Sequence, residues 1–506
     1  MIVSLCLLSL LTVTGVQAHV QRRATVVDCL NTANVPRSLP GSANFTQAIK
    51  PFNLRLPFTP VAVAVPSTVP QVQAAVACGV QYNLAVTAKG GGHSYASHGI
   101  GGENGHLVVD MKLFTNVTVE STTQIASIGT GSRLGNVAIA LFNQGQRMFS
   151  HGTCPGYSHL DSFLKPKLTS SSVGIGGHVG GGGYGYSSHT YGLALDNLVE
   201  ATVVLANSSI VTASTTQNPD LFWGLRGAGA SFGIITQYKF QTFPAPSSNT
   251  IFSYSYNFNQ AQAAAMHKVL QDYANTTMPL EMNMRMFINA YSFGLQGVYY
   301  GSQDNFKKAI APLLAKAPFT GGNGQISTKG WIDTLNNYAY GSLSTDLNYD
   351  IHETFFSKSL MTVNLTDAAM SAFWAYWNTN ARSNTRDWYL IIDLHGGPTS
   401  AISKVADNAT SYAHRNALLK YEFYDRVSSG SYPANGFSFL NGWVASITSA
   451  MNTTTFGMYM NYADPSLSTT DAHNLYWLKH YDALTKVKKA YDPGMVFSNP
   501  QAVMLT

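Results

Sequence analysis

Lys89-Gly90-Gly91-Gly92-His93-Ser94-Tyr95 follows a short apolar run, Leu84 to Ala88, and about sixty residues later comes His151-Gly152-Thr153-Cys154-Pro155-Gly156. A third glycine-rich stretch, Gly174 to Gly185, includes Gly176-Gly177-His178-Val179-Gly180-Gly181-Gly182-Gly183. Glycine lets backbone N–H groups approach a phosphate or a flat ring, because no Cβ intervenes and positive φ is allowed. A nucleotide is the natural guest of such loops. None of the three reads Gly-x-Gly-x-x-Gly after a strand with a later acidic residue, and there is no Gly-Lys-Ser/Thr. A dinucleotide site of the Rossmann kind and a P-loop are therefore disfavoured.

Working outward, Val61 to Val65 reads as a strand, Pro66-Ser67-Thr68 as a helix start, and Val69 to Gly79 as a helix with Val72, Val76 and Ala77 at helical spacing. With Leu84 to Ala88 this makes a strand-helix-strand unit ending in the first glycine loop. Further strands are expected at Leu107 to Asp110, Gln124 to Gly129, Leu198 to Leu205, Ser209 to Ser214 and Phe232 to Phe243. Phe243-Pro244-Ala245-Pro246 closes this half. Beyond it, helical patterns (Asn259 to Tyr273, Asp304 to Ala315, Thr366 to Asn378) alternate with strands at Asn283 to Ala290, Leu295 to Tyr300, Trp388 to His395 and Leu419 to Tyr424. The expectation is an α+β chain whose second part is an antiparallel sheet with helices on one side. A last helix is predicted over Asp471 to Lys489, ahead of Asp492-Pro493-Gly494 and Asn499-Pro500-Gln501.

A chain of 506 residues is longer than one core usually organises. Only 11% of its residues are charged, against roughly 25% in ordinary soluble proteins. The net charge is +5 without basic clusters, so neither nucleic acid nor an anionic membrane is expected as a partner. Residues 1–18 hold an apolar run and end in Val16-Gln17-Ala18, which reads as a signal peptide, and no later run is long enough to span a membrane. Seven Asn-x-Ser/Thr sequons, at Asn44, Asn116, Asn207, Asn275, Asn364, Asn408 and Asn452, agree with a secreted glycoprotein. With Cys6 in the leader, Cys29, Cys78 and Cys154 remain. We pair Cys29 with Cys78, which leaves Cys154 as an inert buried thiol or otherwise bonded.

Taken together, the three glycine stretches, Ser188-His189-Thr190-Tyr191-Gly192-Leu193-Ala194-Leu195-Asp196-Asn197, Asp220-Leu221-Phe222-Trp223-Gly224-Leu225-Arg226-Gly227-Ala228-Gly229-Ala230-Ser231-Phe232-Gly233-Ile234 and Asn499-Pro500-Gln501 resemble the berberine-bridge-enzyme-like FAD-linked oxidases. The fungal oligosaccharide oxidases are the nearest branch, and the likeness runs through the mature chain. It implies a PCMH-type FAD-binding domain in two parts, 19–245 and 451–506, around a substrate domain, 246–450. It implies FAD bonded covalently through His93 and Cys154, with Gly90, Gly91, Gly92, Ser94, Gly176, Gly177, His178, Gly182, Gly183, Asn499 and Gln501 around it. Tyr462, in Tyr459-Met460-Asn461-Tyr462, matches the family's base, and Asp393 the carboxylate that assists it. Tyr95, Tyr338, Glu422 and Arg426 fall where sugar-contacting groups are expected, Glu422 standing where glucose-type relatives have Gln. The implied reaction oxidises the anomeric hydroxyl at an oligosaccharide's reducing end to a lactone and reduces O2 to H2O2, in a monomer that needs no metal. The rivals are oxidation of an aromatic alcohol, alkaloid or secondary metabolite, and an inert flavin- or carbohydrate-binding protein.

One departure breaks the family's run Cys-Pro-x-Val-Gly. Residues 157–172 separate Gly156 from Val173, which the resemblance places over the flavin. We read them as a translated intron, with a real loop as the alternative; a transcript that carries their codons would exclude the first reading.

Overall fold

The strand-helix-strand unit forms as Ala62–Ala64, Val69–Gln81 and Val86–Lys89, in a computed structural model that describes residues 26–152, 172–290, 292–318, 323–339, 343–344 and 352–505. The proposed leader, 1–18, lies outside the described residues. Thr68 caps the helix by accepting from the Gln71 N–H, and Pro70 occupies its first turn, where the missing N–H costs nothing. The two strands flank Leu107–Asp110 in a parallel arrangement, and Arg37–Ser38 adds an antiparallel edge. Cys29 and Cys78 form a disulfide with a Cα–Cα distance of 5.8 Å, fastening the N-terminal helix region to the Val69–Gln81 helix. The bridge spans 49 residues. Replacing both cysteines by serine is expected to lower unfolding stability by about 2–4 kcal/mol, because the unfolded chain loses a constraint; urea titration against the wild type measures it.

A second sheet, five antiparallel strands in the order Val117–Val119, Ile125–Gly129, Ile234–Gln241, Leu198–Val204 and Ile210–Ser214, carries the third glycine stretch on its flank. Its core holds Leu134, Val179, Leu195, Phe222 and Phe240 together with Met458, Tyr476, Trp477, Leu484 and Val503 from the C-terminal segment. The first and last parts of the chain thus share one hydrophobic core.

The helix expected over Asp471 to Lys489 is instead two, Thr469–Tyr476 and Tyr481–Tyr491, joined by a 3₁₀ turn at Leu478–His480. Leu478 adopts φ +48°, which breaks the hydrogen-bond ladder. The break turns Trp477 inward, where its indole N–H donates to the Gly227 carbonyl at 2.9 Å. Packing outweighed helical periodicity at that point.

The third sheet has seven antiparallel strands, ordered Asn323–Lys329, Asn249–Tyr256, Phe293–Tyr299, Met282–Asn289, Asp387–Leu394, Leu419–Val427 and Thr354–Thr362. Side chains alternate across a strand, and here the two faces differ in chemistry. Met282, Met284, Met286 and Ile288, then Trp388, Leu390, Ile392 and Leu394, then Leu419, Tyr421 and Phe423 enter one apolar core. The helices Gln260–Thr276, Asp367–Tyr376 and Ala434–Thr448 supply the other half of that core. The opposite face carries Arg285, Asp393, Lys420 and Glu422, and it is this face that builds the site. Among the described residues no helix is long and apolar enough to cross a membrane.

Candidate cofactor and active site

Glycines from separate parts of the chain converge on one cleft. Gly90, Gly91, Gly92, Gly174, Gly176, Gly177, Gly180 and Gly181 all line it. A Cβ at Gly91 would collide with the Gly174 backbone, so the first and third glycine stretches pack backbone to backbone, and one at Gly176 would lie 2.9 Å from the Thr130 carbonyl oxygen. Gly92 has φ +76°, a conformation that favours glycine. A Cβ at Gly177 would meet nothing within 4 Å; its N-terminal helix turn faces the open cleft. Ser94, His178 and Asn499 line the same space, as do Ile235, Phe497 and Ser498. This combination of bare backbone, polar groups and apolar wall suits a long flat dinucleotide, and FAD fits it.

Gly182, Gly183 and Gln501 serve the cleft from behind. The Gly183 and Tyr184 N–H groups both donate to the Tyr459 hydroxyl at 3.0 Å, and a Cβ at Gly182 would strike the Tyr459 ring. The Gln501 amide donates to the Asp464 carbonyl at 2.7 Å and accepts from Tyr476. Each holds the segment that presents Tyr462.

His93 opens to the cleft, with the Phe52 ring 4.6 Å away and the Ser172 hydroxyl 3.0 Å from Nε2. Enclosure of the rest of the ring, reinforced by the Arg133 and His352 charges, lowers its pKa to about 3. At neutral pH the imidazole is therefore uncharged and keeps a nucleophilic lone pair. Cys154 and most of the insert, through Ser171, lie outside the described residues. Gly152, two residues before Cys154 in the sequence, lines the cleft and donates from its N–H to His178 Nε2 at 2.8 Å.

At the wall made by the seven-stranded sheet, strand register sets the chemistry. Arg285 pairs with Asp393, and Asp393 with Lys420, giving a row of alternating charge. The buried Lys420 ammonium lies 2.6 Å from the Asp393 carboxylate, donates to the Tyr462 hydroxyl at 3.4 Å, and sits 4.4 Å and 4.6 Å from the Tyr184 and Tyr462 ring centroids. Asp393 and Tyr462 both line the cleft. A cation beside a phenol favours the phenolate. The next row carries Glu422, which accepts from Tyr95 at 2.8 Å and from Tyr389 at 3.3 Å. Tyr95 itself lines the cleft and stacks on Tyr462, centroids 5.6 Å apart.

The other expected sugar contacts do not line this cleft. Tyr338 is buried, stacks on Tyr186 at 3.7 Å and donates to the Gly297 carbonyl. Arg426 is held by Glu353 at 2.7 Å and Asp387 at 2.6 Å. Neither these two nor Glu422 is among the residues lining the cleft. Conversely, Lys420, Arg285, Tyr184 and Tyr459 went unremarked in the sequence reading. A signal for Lys420 existed: Lys420, Glu422, Tyr424 and Arg426 alternate with Leu419, Tyr421 and Phe423, marking a strand with one polar face.

Comparison with known proteins agrees with this geometry. The "FAD binding domain" family model matches residues 60–155 and 160–214, and the "Berberine and berberine like" model matches 458–504. The chain is 44% identical over 491 residues to a xylooligosaccharide oxidase of Thermothelomyces thermophilus, covering 95% of each. Among solved structures, a chitooligosaccharide oxidase superposes with TM-score 0.90 at 38% identity, over 95% of this chain and all of that one. A glucooligosaccharide oxidase from Acremonium strictum, described with a 6-S-cysteinyl, 8α-N1-histidyl FAD, superposes with TM-score 0.87 at 39% identity, over 95% of this chain and 100% of that one. A glycine-lined cleft shared by two parts of the chain, closed by a sheet bearing a tyrosine, a lysine and a carboxylate, is thus a variation within a known design: the chain belongs to the berberine-like family of FAD-linked oxidoreductases.

Proposed function

We propose that this protein is a secreted oxidase of oligosaccharides, acting on the anomeric hydroxyl at the reducing end. The relatives named above carry carbohydrate substrates in their names, and the local chemistry supports the same use here. The observation that carries the reading is the Asp393–Lys420–Tyr462 chain opening on the cleft that the glycine loops line. In this reading 19–245 and 451–506 hold the cofactor, 246–450 holds the sugar, and His93 and Cys154 are the covalent tethers. FAD held in this cleft would supply a two-electron acceptor for the hydride of the sugar carbon, with O2 as the final oxidant and H2O2 as its product. Tyr462 takes the proton of the anomeric hydroxyl as a phenolate, the Lys420 ammonium favours that ionised form before the transfer, and Asp393 fixes the ammonium in place. Tyr95 offers an aromatic face to the pyranose ring. The product is a lactone that opens to an aldonic acid.

Anaerobic mixing with xylo-, cello- and chito-oligosaccharides tests this directly. Bleaching of the yellow flavin absorbance by a sugar, followed by peroxide release on admitting air, is the expected result. Bleaching by aromatic alcohols alone would overturn the substrate class, and no bleaching by either would mark an inert binder. Acid precipitation addresses the tethers: the colour is expected to stay with denatured wild-type protein and to wash away from the H93A/C154A variant.

A further inference from the structure

Two of the seven sequons meet in space. Asn275-Thr276-Thr277 ends the helix Gln260–Thr276, and Asn364-Leu365-Thr366 leads into the helix Asp367–Tyr376. Asn275 Nδ2 donates to Asn364 Oδ1 at 2.8 Å, although 89 residues separate the two in the chain.

This contact is the last rung of a seam. Lys268, Gln271 and Asn275 are spaced three and four apart and so share one face of their helix. Lys268 pairs with Asp367 at 2.5 Å. Gln271, 5% exposed, holds the middle residue of the second sequon with both ends of its amide: Nε2 donates to the Leu365 carbonyl at 3.1 Å, and Oε1 accepts from the Leu365 N–H at 2.7 Å. Thr366 then caps the second helix by accepting from the Ala369 N–H at 3.2 Å. The backbone that follows Asn364 is therefore fixed, and the two carboxamides are held together by more than their own bond.

The two asparagines stand differently in the seam. Asn275 is half-buried and engages through nitrogen, the atom that carries an N-glycan; Asn364 is exposed and engages through oxygen. A saccharide is bulky and hydrated, and on Asn275 it would need the space that the Asn364 carboxamide fills. We propose that Asn364 is a glycosylation site and that Asn275, whose sequon is equally complete, is bare in the folded protein. The inference rests on the secretory reading. The transfer joins Asn364 Nδ2 to the anomeric carbon of a lipid-linked oligosaccharide, releases the lipid pyrophosphate and one amide proton, and changes no oxidation state. It acts on the chain before folding is complete, so the fold selects among its products: a chain modified at Asn275 has lost a rung of the seam. Both helices pack on the apolar face of the seven-stranded sheet, so the glycan stands away from the cleft that Asp393 and Tyr462 line.

Release of N-glycans by an amidase in heavy-oxygen water, followed by peptide mass spectrometry of the secreted protein, is the test. The amidase turns each glycosylated asparagine into a labelled aspartate. We expect label at Asn364 and none at Asn275. N364Q, which keeps an amide in the seam, is expected to lose one glycan. T277A, which destroys the first sequon and leaves the Asn275 amide in place, is expected to leave the glycan pattern unchanged. Label at Asn275 in folded, secreted protein would overturn the exclusion, and an unlabelled Asn364 beside labelled sequons elsewhere would overturn the assignment. Absence of label at every sequon would instead remove the secretory reading, and the inference with it.

Discussion

Tyr462→Phe is expected to lower kcat by about 10²- to 10⁴-fold, the contribution of a positioned general base, which is roughly 3–6 kcal/mol of barrier. The substitution removes one oxygen and little else. The ring keeps its stack on Tyr95 and its edge contact with Tyr459, centroids 5.6 Å and 5.1 Å away. Sugar affinity and flavin content should therefore stay near wild-type values, and the loss should lie in the bleaching rate under single turnover. Lys420 and Asp393 remain paired at 2.6 Å in the variant, so no buried charge is orphaned to confuse the result with unfolding. Retention of more than a tenth of the wild-type rate would assign the base elsewhere.

The second large effect is structural. Lys488→Met is expected to destabilise the protein by about 3–5 kcal/mol, the usual cost of leaving a buried charge without its partner. Lys488 spends all three ammonium protons inside the protein, on the Ser231 carbonyl at 2.6 Å, the Asp492 carboxylate at 2.6 Å and the Phe497 carbonyl at 2.7 Å. Both charged side chains are fully buried. Asp492 in turn accepts from the Val496 and Phe497 N–H groups at 2.8 Å. This knot fixes the run into Ser498 and Asn499, which line the cleft, so weaker flavin retention should accompany the lost stability. Denaturant unfolding of K488M and of K488M/D492L measures it; the double variant is expected to recover more than half of the loss, because it buries no lone charge. A single-variant loss below about 1 kcal/mol would contradict the account.

Much of the fold was legible because the features concerned are local. Leu107–Asp110 forms at the expected residues, and Val69–Gln81 begins where Thr68 announced it, since a cap and its apolar spacing lie within one segment. The break at Leu478 was not legible, because the force that bends the chain there is the docking of Trp477 on Gly227, some 250 residues away in sequence. The strand Thr354–Thr362 was also missed, and it edges the sheet beside Leu419–Val427.

The site divides in the same way. The nucleotide loops follow from glycine itself: three stretches without Cβ atoms announce a close approach of backbone to ligand wherever the fold puts them, and the family's motif positions attach His93 and Cys154 to that loop chemistry. Tyr462 and Asp393, which both line the cleft, were also singled out by motif. Their connection through Lys420 was not, because it exists only when antiparallel register sets Asp393 opposite Lys420 and the C-terminal turn lays Tyr462 against them. The same register puts Glu422 where Tyr95 donates to it, and the tertiary packing stacks Tyr338 on Tyr186. Sequence by itself determined which groups with reactive chemistry the chain owns, because residue identity and local spacing are enough to state that. Only the tertiary structure decided which of them share a proton, since a hydrogen bond depends on distances of a few tenths of an ångström between segments hundreds of residues apart.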